Sequence, residues 1–306
     1  MKLHQLSALV KVAEMGSIQA ASRALFMTQP AVSRAIRDLE IELGVLLVHR
    51  TPKGVNLTTV GALFVKHARS VQQELQRAQA EIASFKGAAA ISLTLAAAPI
   101  ATRSFLPETM LAFMKFYPDV RVAVREMRPD QINDALTDGS AEIGIGHLAG
   151  DEQLPLFTCV RLCDFSMAVF AGAKHPLQTG ACADDFSEAQ WILRDPPRDI
   201  EHIFVQNGYR PPERYLHCTS IEMATRIMAG TDMLSWGTAQ LLQFQRGVNT
   251  DFHVLDFPGV LPRRSIYATY RDHELLSWAA KKFLQITYAT VKANYPAEVN
   301  PDNPFA

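Results

Sequence analysis

The sequence is short of cysteine, of long apolar runs and of excess charge. Four cysteines in 306 residues are too few for a disulfide scaffold and fit a reducing compartment. No apolar stretch reaches the ~18 residues of a membrane span. Charged residues make up only 20% against 48% hydrophobic, which excludes a disordered chain and a fibrous one. The start, Met1-Lys2-Leu3-His4-Gln5-Leu6-Ser7, is broken by polar residues and is not read as a secretion signal. The expected location is therefore the cytoplasm. Several catalytic signatures are also missing: a phosphate-binding P-loop, a dinucleotide glycine fingerprint, a Gly-x-Ser-x-Gly elbow and a metal-spaced histidine pair. Neither an enzyme nor a cofactor is expected.

What is present is a chain with 48% hydrophobic residues and a net charge of −1, long enough for two or three domains with cores of their own. The near-neutral total hides an asymmetry. Residues 1–87 carry a balance of +5, and residues 88–306 one of −6. A polyanionic partner, if there is one, belongs at the front.

Residues 1–44 have helical texture. Leu3, Leu6, Leu9, Val10 and Ala13 are helically spaced, and Gly16 can end that helix. Ser17 is placed to cap a short helix from Ile18 to Leu25. Its Ala20, Ala21 and Ala24 offer a small-residue face for close packing. Thr28 caps a third helix, with Pro30 in the first turn, where its missing N–H is harmless. On that helix Val32, Ile36, Leu39 and Leu43 share one face. Gln29, Pro30, Ser33, Arg34 and Arg37 share a nearly opposite one. Glutamine can read an adenine edge, arginine a guanine, and serine a base or phosphate. Short helix, tight turn and capped polar helix follow the helix-turn-helix order. The hairpin beyond, Arg50-Thr51-Pro52-Lys53-Gly54, would be a basic wing against the DNA backbone or minor groove. The alternative is an ordinary solvated polar face.

Residues 59–86 form one long helical run. Val71, Leu75, Ala78, Ile82 and Phe85 alternate spacings of four and three, a coiled-coil seam that implies a partner chain. Packing on its own domain is the alternative. Lys86-Gly87-Ala88 marks a hinge. From Ile91 the texture is β-α-β, which argues for mostly parallel sheets covered by helices. Two such lobes with a cleft between them fit the remaining length. The tail from Tyr295 is expected to be loose.

The front of the chain closely resembles the DNA-binding domain of LysR-type transcriptional regulators. The resemblance rests on Gly16-Ser17, Ala20-Ala21, Leu25, Gln29-Pro30-Ala31-Val32-Ser33, Ile36, Leu39-Glu40, Leu43-Gly44, Leu47, Arg50, Leu57-Thr58 and Gly61. It implies an α/β chain with an N-terminal winged helix-turn-helix, a long linker helix and a two-lobed effector domain resembling periplasmic binding proteins. On this reading the DNA-binding domain is 1–58, the linker helix 59–87 and the effector domain 88–306. Lobe I would take about 91–160 and 267–294, and lobe II about 161–266. The resemblance also implies a homodimer, often a dimer of dimers, on double-stranded promoter DNA. Gln29, Pro30, Ser33 and Arg34 would contact the operator, with Thr28 as a phosphate-side cap and Lys53 on the wing. The helical wheel adds Arg37, and the hairpin adds Arg50.

Ligands of α/β sheets sit beyond the carboxyl ends of strands. Those ends nominate Pro99, Ile100, Thr102, Arg128, His147, Arg194, Thr219 and Ser220, with Trp236 as an apolar cover. The resemblance implies that Thr102 and Ser220 face the effector. The expected effector is a small organic anion, a carboxylate, whose charge Arg128, Arg194 or His147 would balance. Each has a structural alternative: Arg128 a surface turn, Arg194 a pair with Asp195, His147 a place in solvent, and Thr219-Ser220 a helix cap. Arg128-Pro129 departs from the small or hydroxyl residues frequent there in the family. The cysteines Cys159, Cys163, Cys182 and Cys218 lack metal spacing and are read as buried thiols. The competing function is a solute-binding protein or an enzyme on the α/β lobes.

Overall fold

A computed structural model describes residues 1–51, 54–85, 91–148, 156–177, 181–238, 252–300 and 304–305. Helices α1 (Leu3–Met15), α2 (Ile18–Ala24) and α3 (Gln29–Leu43) form the front domain. Each boundary has a local cause. Gly16 takes the left-handed conformation at φ 62° and closes α1. Ser17 accepts from the Ala20 N–H, and Thr28 from the Ala31 N–H, both at 3.4 Å. Leu6, Leu9, Ala21, Val32, Ile36 and Leu39 make one core beneath them. Leu43, expected on the same face, is exposed, because the helix ends there at left-handed Gly44.

The hairpin β1 (Val48–Thr51) and β2 (Gly54–Leu57) is antiparallel, with Arg50 opposite Val55. It is anchored rather than free. The Glu40 carboxylate accepts from the Leu47 and Val48 N–H groups at 2.8 and 3.1 Å. The Val55 N–H donates to the Gly16 carbonyl at 2.8 Å. Helix α4 (Thr59–Phe85) then runs 27 residues. Its N-terminus is fixed by the Thr58 hydroxyl, which donates to the Leu46 carbonyl and accepts from the Gly61 N–H, both at 2.8 Å.

The rear is one mixed sheet path bent into two lobes. In lobe I, β3 (Ser92–Ala97) lies parallel between β4 (Arg121–Glu126) and β5 (Ile143–Gly146). The helices there are α5 (Pro99–Thr102), α6 (Leu106–Phe116) and α7 (Pro129–Thr137). In lobe II, β7 (Gln190–Leu193) lies parallel between β8 (Arg214–His217) and β9 (Met233–Thr238). Its helices are α8 (Ala183–Glu188), α9 (Pro197–Gln206) and α10 (Ile221–Gly230). Two strands join the lobes. The long β6 (Thr158–Gly172) pairs with β11 (Arg263–Tyr270) up to Ser166, then with β9 from Met167. The hand-over thus falls a few residues beyond the expected division at 160. Helix α11, residues Trp278–Asn294, closes lobe I, with its Phe283 edge-on to Phe113 of α6.

Three features go beyond or against the sequence reading. β6 runs fifteen residues, because it serves both lobes. β10 (Phe252–Leu255), pairing with β6, had no counterpart in the sequence reading. Residues 295–300 of the tail are anchored, not loose. Tyr295 is buried against Phe165, and the Asn300 N–H donates to the Leu162 carbonyl at 2.9 Å. Among the described residues no helix is long and apolar enough to cross a membrane.

Candidate DNA-reading face and interlobe cleft

The apolar stripe of α3 is buried to the last atom at Val32, Ile36 and Leu39. That burial turns the opposite stripe outward. Thr28, Gln29, Pro30, Arg34 and Arg37 are exposed, and Ser33 is half-buried. Arg50 is exposed on β1. None of the three arginines makes an ion pair among the described residues. A helix held from behind, with an amide, a hydroxyl and free guanidiniums in front, suits the major groove. Lys53 lies outside the described residues. Phe26, at φ 54°, makes the tight turn before Thr28.

Along α4, Val71, Leu75 and Ile82 are 46%, 43% and 59% exposed, so about half of each apolar side chain of this part of the seam is left uncovered by the described residues. Other faces are engaged. Lys66 pairs with Asp134 of α7 at 2.6 Å, and Arg77 donates to the Gly139 carbonyl at 2.8 Å.

In the cleft the predicted residues separate. Arg194 and His147 come together with Asp195, and with Arg103 and Arg264, which the sequence reading missed. Arg264 lies on β11 and donates to Asp195 Oδ2 at 3.2 Å and to His147 Nε2 at 3.1 Å. Its guanidinium sits 5.7 Å from the Trp236 ring centroid. Trp236 is buried, with Arg264 over its ring. Because His147 Nε2 accepts, its hydrogen is on Nδ1, and that buried atom has no partner among the described residues. Burial, reinforced by Arg264 and Arg194, lowers the His147 pKa to about 4; Asp195 opposes the shift. The ring is neutral at physiological pH.

Arg194 is half-buried, and burial lowers its pKa from the ordinary arginine value. Asp195 opposes this, while Arg264 and Arg103 add to it. Its expected pair with Asp195 is not formed, since Arg264 holds that carboxylate.

The hydroxyls are also engaged. Thr102 donates to Glu126 Oε2 at 2.5 Å. Ser220 caps α10, accepting from the Met223 N–H at 3.2 Å, and donates to Glu222 Oε2 at 3.2 Å. Arg128 is exposed and paired with Asp130 at 2.6 Å at the start of α7, the surface-turn alternative. Pro99 opens α5, Ile100 is in the lobe I core, and Thr219 is exposed. Of the cysteines, Cys163 and Cys218 are buried, Cys159 is half-buried, and Cys182 is exposed at the start of α8, against expectation. Burial pushes the Cys163 thiol pKa up.

Comparison with known proteins decides the family. The bacterial regulatory helix-turn-helix model of the lysR family matches residues 3–62, and the LysR substrate binding domain model matches 87–291. The chain belongs to the LysR family. Among curated relatives, the HTH-type transcriptional regulator GbpR of Azospirillum brasilense is 26% identical over 246 residues, covering 77% of this chain and 71% of that protein. Among solved structures, ArgP of Mycobacterium tuberculosis superposes with a TM-score of 0.74 at 19% identity, covering 95% of this chain and 97% of that one. A full-length OxyR variant of Pseudomonas aeruginosa gives 0.68 at 19% identity, with 99% of each chain covered. The curated relatives are transcriptional regulators, not enzymes. This LysR-type chain is accordingly a DNA-binding transcriptional regulator with an effector-binding rear domain.

Proposed function

We propose that this regulator reads its operator through Thr28, Gln29, Pro30, Ser33, Arg34 and Arg37, with Arg50 and Lys53 on the backbone, and answers to a small organic carboxylate held between its lobes. It works in the cytoplasm as a homodimer joined through the linker helix, and as a dimer of dimers on promoter DNA. The DNA-binding domain is taken as 1–58, the linker as 59–87 and the effector domain as 88–306.

The observation that carries the DNA assignment is the outward stripe of α3, exposed from Gln29 to Arg37 over a fully buried Val32, Ile36 and Leu39. The observation that carries the carboxylate is Arg194, a half-buried guanidinium without a hydrogen bond or ion pair among the described residues. Such a group is costly unless an anion meets it. A ligand bound better by one lobe arrangement shifts the population toward it and alters the DNA complex.

Gel retardation on the DNA upstream of the chain's own gene tests the reading, with and without a panel of carboxylates. Specific retention that carboxylates change is the expected result. Retention equal on random DNA removes the operator assignment.

A further inference from the structure

The charges of the cleft do not cancel evenly with depth. At its mouth, Arg103 alone faces two carboxylates, Glu126 at 2.8 Å and Glu222 at 2.5 Å. These two side chains are 45% and 69% exposed. The hydroxyls of Thr102 and Ser220 turn to the same two groups. Farther in, Arg264 and Asp195 are 19% and 25% exposed and pair with each other. Asp199 and Arg198, on the flank, pair at 3.7 Å. Arg194, half-buried, has no hydrogen bond or ion pair among the described residues. One negative charge is therefore in excess at the mouth and one positive charge at the floor. The second unmatched group of the floor, the Nδ1–H of His147, is also a donor.

We propose that the cleft takes an amino acid. Its carboxylate would accept from Arg194 and the His147 Nδ1–H, and its ammonium would face Glu126 and Glu222. The proposal rests on the cleft's being the effector site. The other ligand classes meet a mismatch. A dicarboxylate would bring its second charge against the two glutamates. A simple cation would leave the floor donors unmatched, and a neutral sugar would balance neither end. Glu126 belongs to lobe I and Glu222 to lobe II. An ammonium between them replaces part of what Arg103 does alone, so occupancy bears on the contact between lobes. Arg103 keeps one glutamate when the ligand takes the other.

The test is calorimetric titration of the full-length protein with matched pairs: alanine and propionate, phenylalanine and phenylpropionate, glutamate and glutarate. The expected result is at least one amino acid bound about tenfold or more tighter than its deaminated partner, the order of one charge-assisted contact. The double variant Glu126→Gln, Glu222→Gln should bring that ratio close to one, and Arg194→Gln should abolish binding of both partners. DNA retention by each variant serves as the control for folding. A deaminated acid bound as tightly as its amino acid, with binding lost in Arg194→Gln, overturns the amino-acid assignment and leaves the carboxylate effector standing. Amino-acid binding that survives Arg194→Gln places the site elsewhere and overturns the proposal. No binding of any panel member by a protein that retains DNA overturns the proposal and the carboxylate reading together.

Discussion

Arg103 Nη2 donates to Glu222 Oε1 at 2.5 Å, so a side chain at the end of α5 in lobe I is tied to α10 in lobe II. The same guanidinium holds Glu126 within its own lobe at 2.8 Å. Glu222 is well exposed, so the bridge adds little to global stability, below about 1 kcal/mol. Its weight falls on the relation between lobes. Glu222→Gln is expected to leave the urea midpoint nearly unchanged and to speed amide exchange in α10. Exchange in α10 equal to that of the parent protein would show that the bridge does not restrain the lobe.

The outward stripe of α3 predicts base-specific losses. Gln29→Ala and Arg34→Ala should each cost about 1–3 kcal/mol on the cognate operator and relax base preference. Arg50→Ala and Lys53→Ala should weaken all sequences alike and lower the salt slope by about one each. Footprinting and salt titration on a mapped operator separate the two behaviours. An unchanged affinity in the Arg34 variant removes that residue from the reading face.

The seam of α4 predicts the assembly state. Leu75 and Ile82 are 43% and 59% exposed in the single chain, and a partner helix would bury them. Replacing both with Glu would place charge against apolar surface. Sedimentation should then show monomers, and operator affinity should fall because one winged domain holds a half-site. Dimers that persist at low concentration would place the seam contact elsewhere.

The front domain was legible because its signals are local. Caps, a left-handed glycine and a helical apolar period fix α1 to α3 within a few residues of their sequence. The cleft was only partly legible. Its candidates were taken from strand ends, and His147 and Arg194 qualify by that rule. Arg264 does not, since it enters near the start of β11, a strand that crosses from lobe II to lobe I. Crossing strands carry residues into a cleft with no turn or cap to announce them. The partners that Thr102 and Ser220 take in the folded chain were not legible for a related reason. A hydroxyl at a strand end can face a ligand or a neighbouring carboxylate, and Glu126 and Glu222 come from distant parts of the chain. β10 was missed because Phe252–Leu255 is four residues long and gains its place only from pairing with β6.

Gly61 tests how α4 is joined to the winged domain. A Cβ at this position would lie 1.9 Å from the backbone oxygen of Leu47, an atom fixed in the domain. Backbone must move to admit it. Gly61→Ala is expected to destabilise the front domain by about 1–3 kcal/mol. Urea unfolding followed by a front-domain probe should show the earlier transition, while the rear domain keeps its midpoint. An unshifted front transition would mean that the helix start yields at no cost.

The last prediction concerns pH. His147 is held neutral by burial and by the positive charges of Arg264 and Arg194, with Asp195 opposing, and its pKa in the folded protein is about 4. In the unfolded chain a histidine titrates near ~6.5. The unfolded state therefore binds the proton first as pH falls. This contribution to stability is complete above pH ~6.5, declines through the interval and is lost near 4. Its ceiling is about 3 kcal/mol. Carboxylates elsewhere titrate in the lower part of the same window, so the informative quantity is a difference. Between pH 7 and pH 5 the parent protein should lose about 1–2 kcal/mol more unfolding free energy than His147→Asn, which does not titrate and can still accept from Arg264. Parallel curves for the two proteins would show that His147 is not the buried neutral ring that the cleft geometry requires.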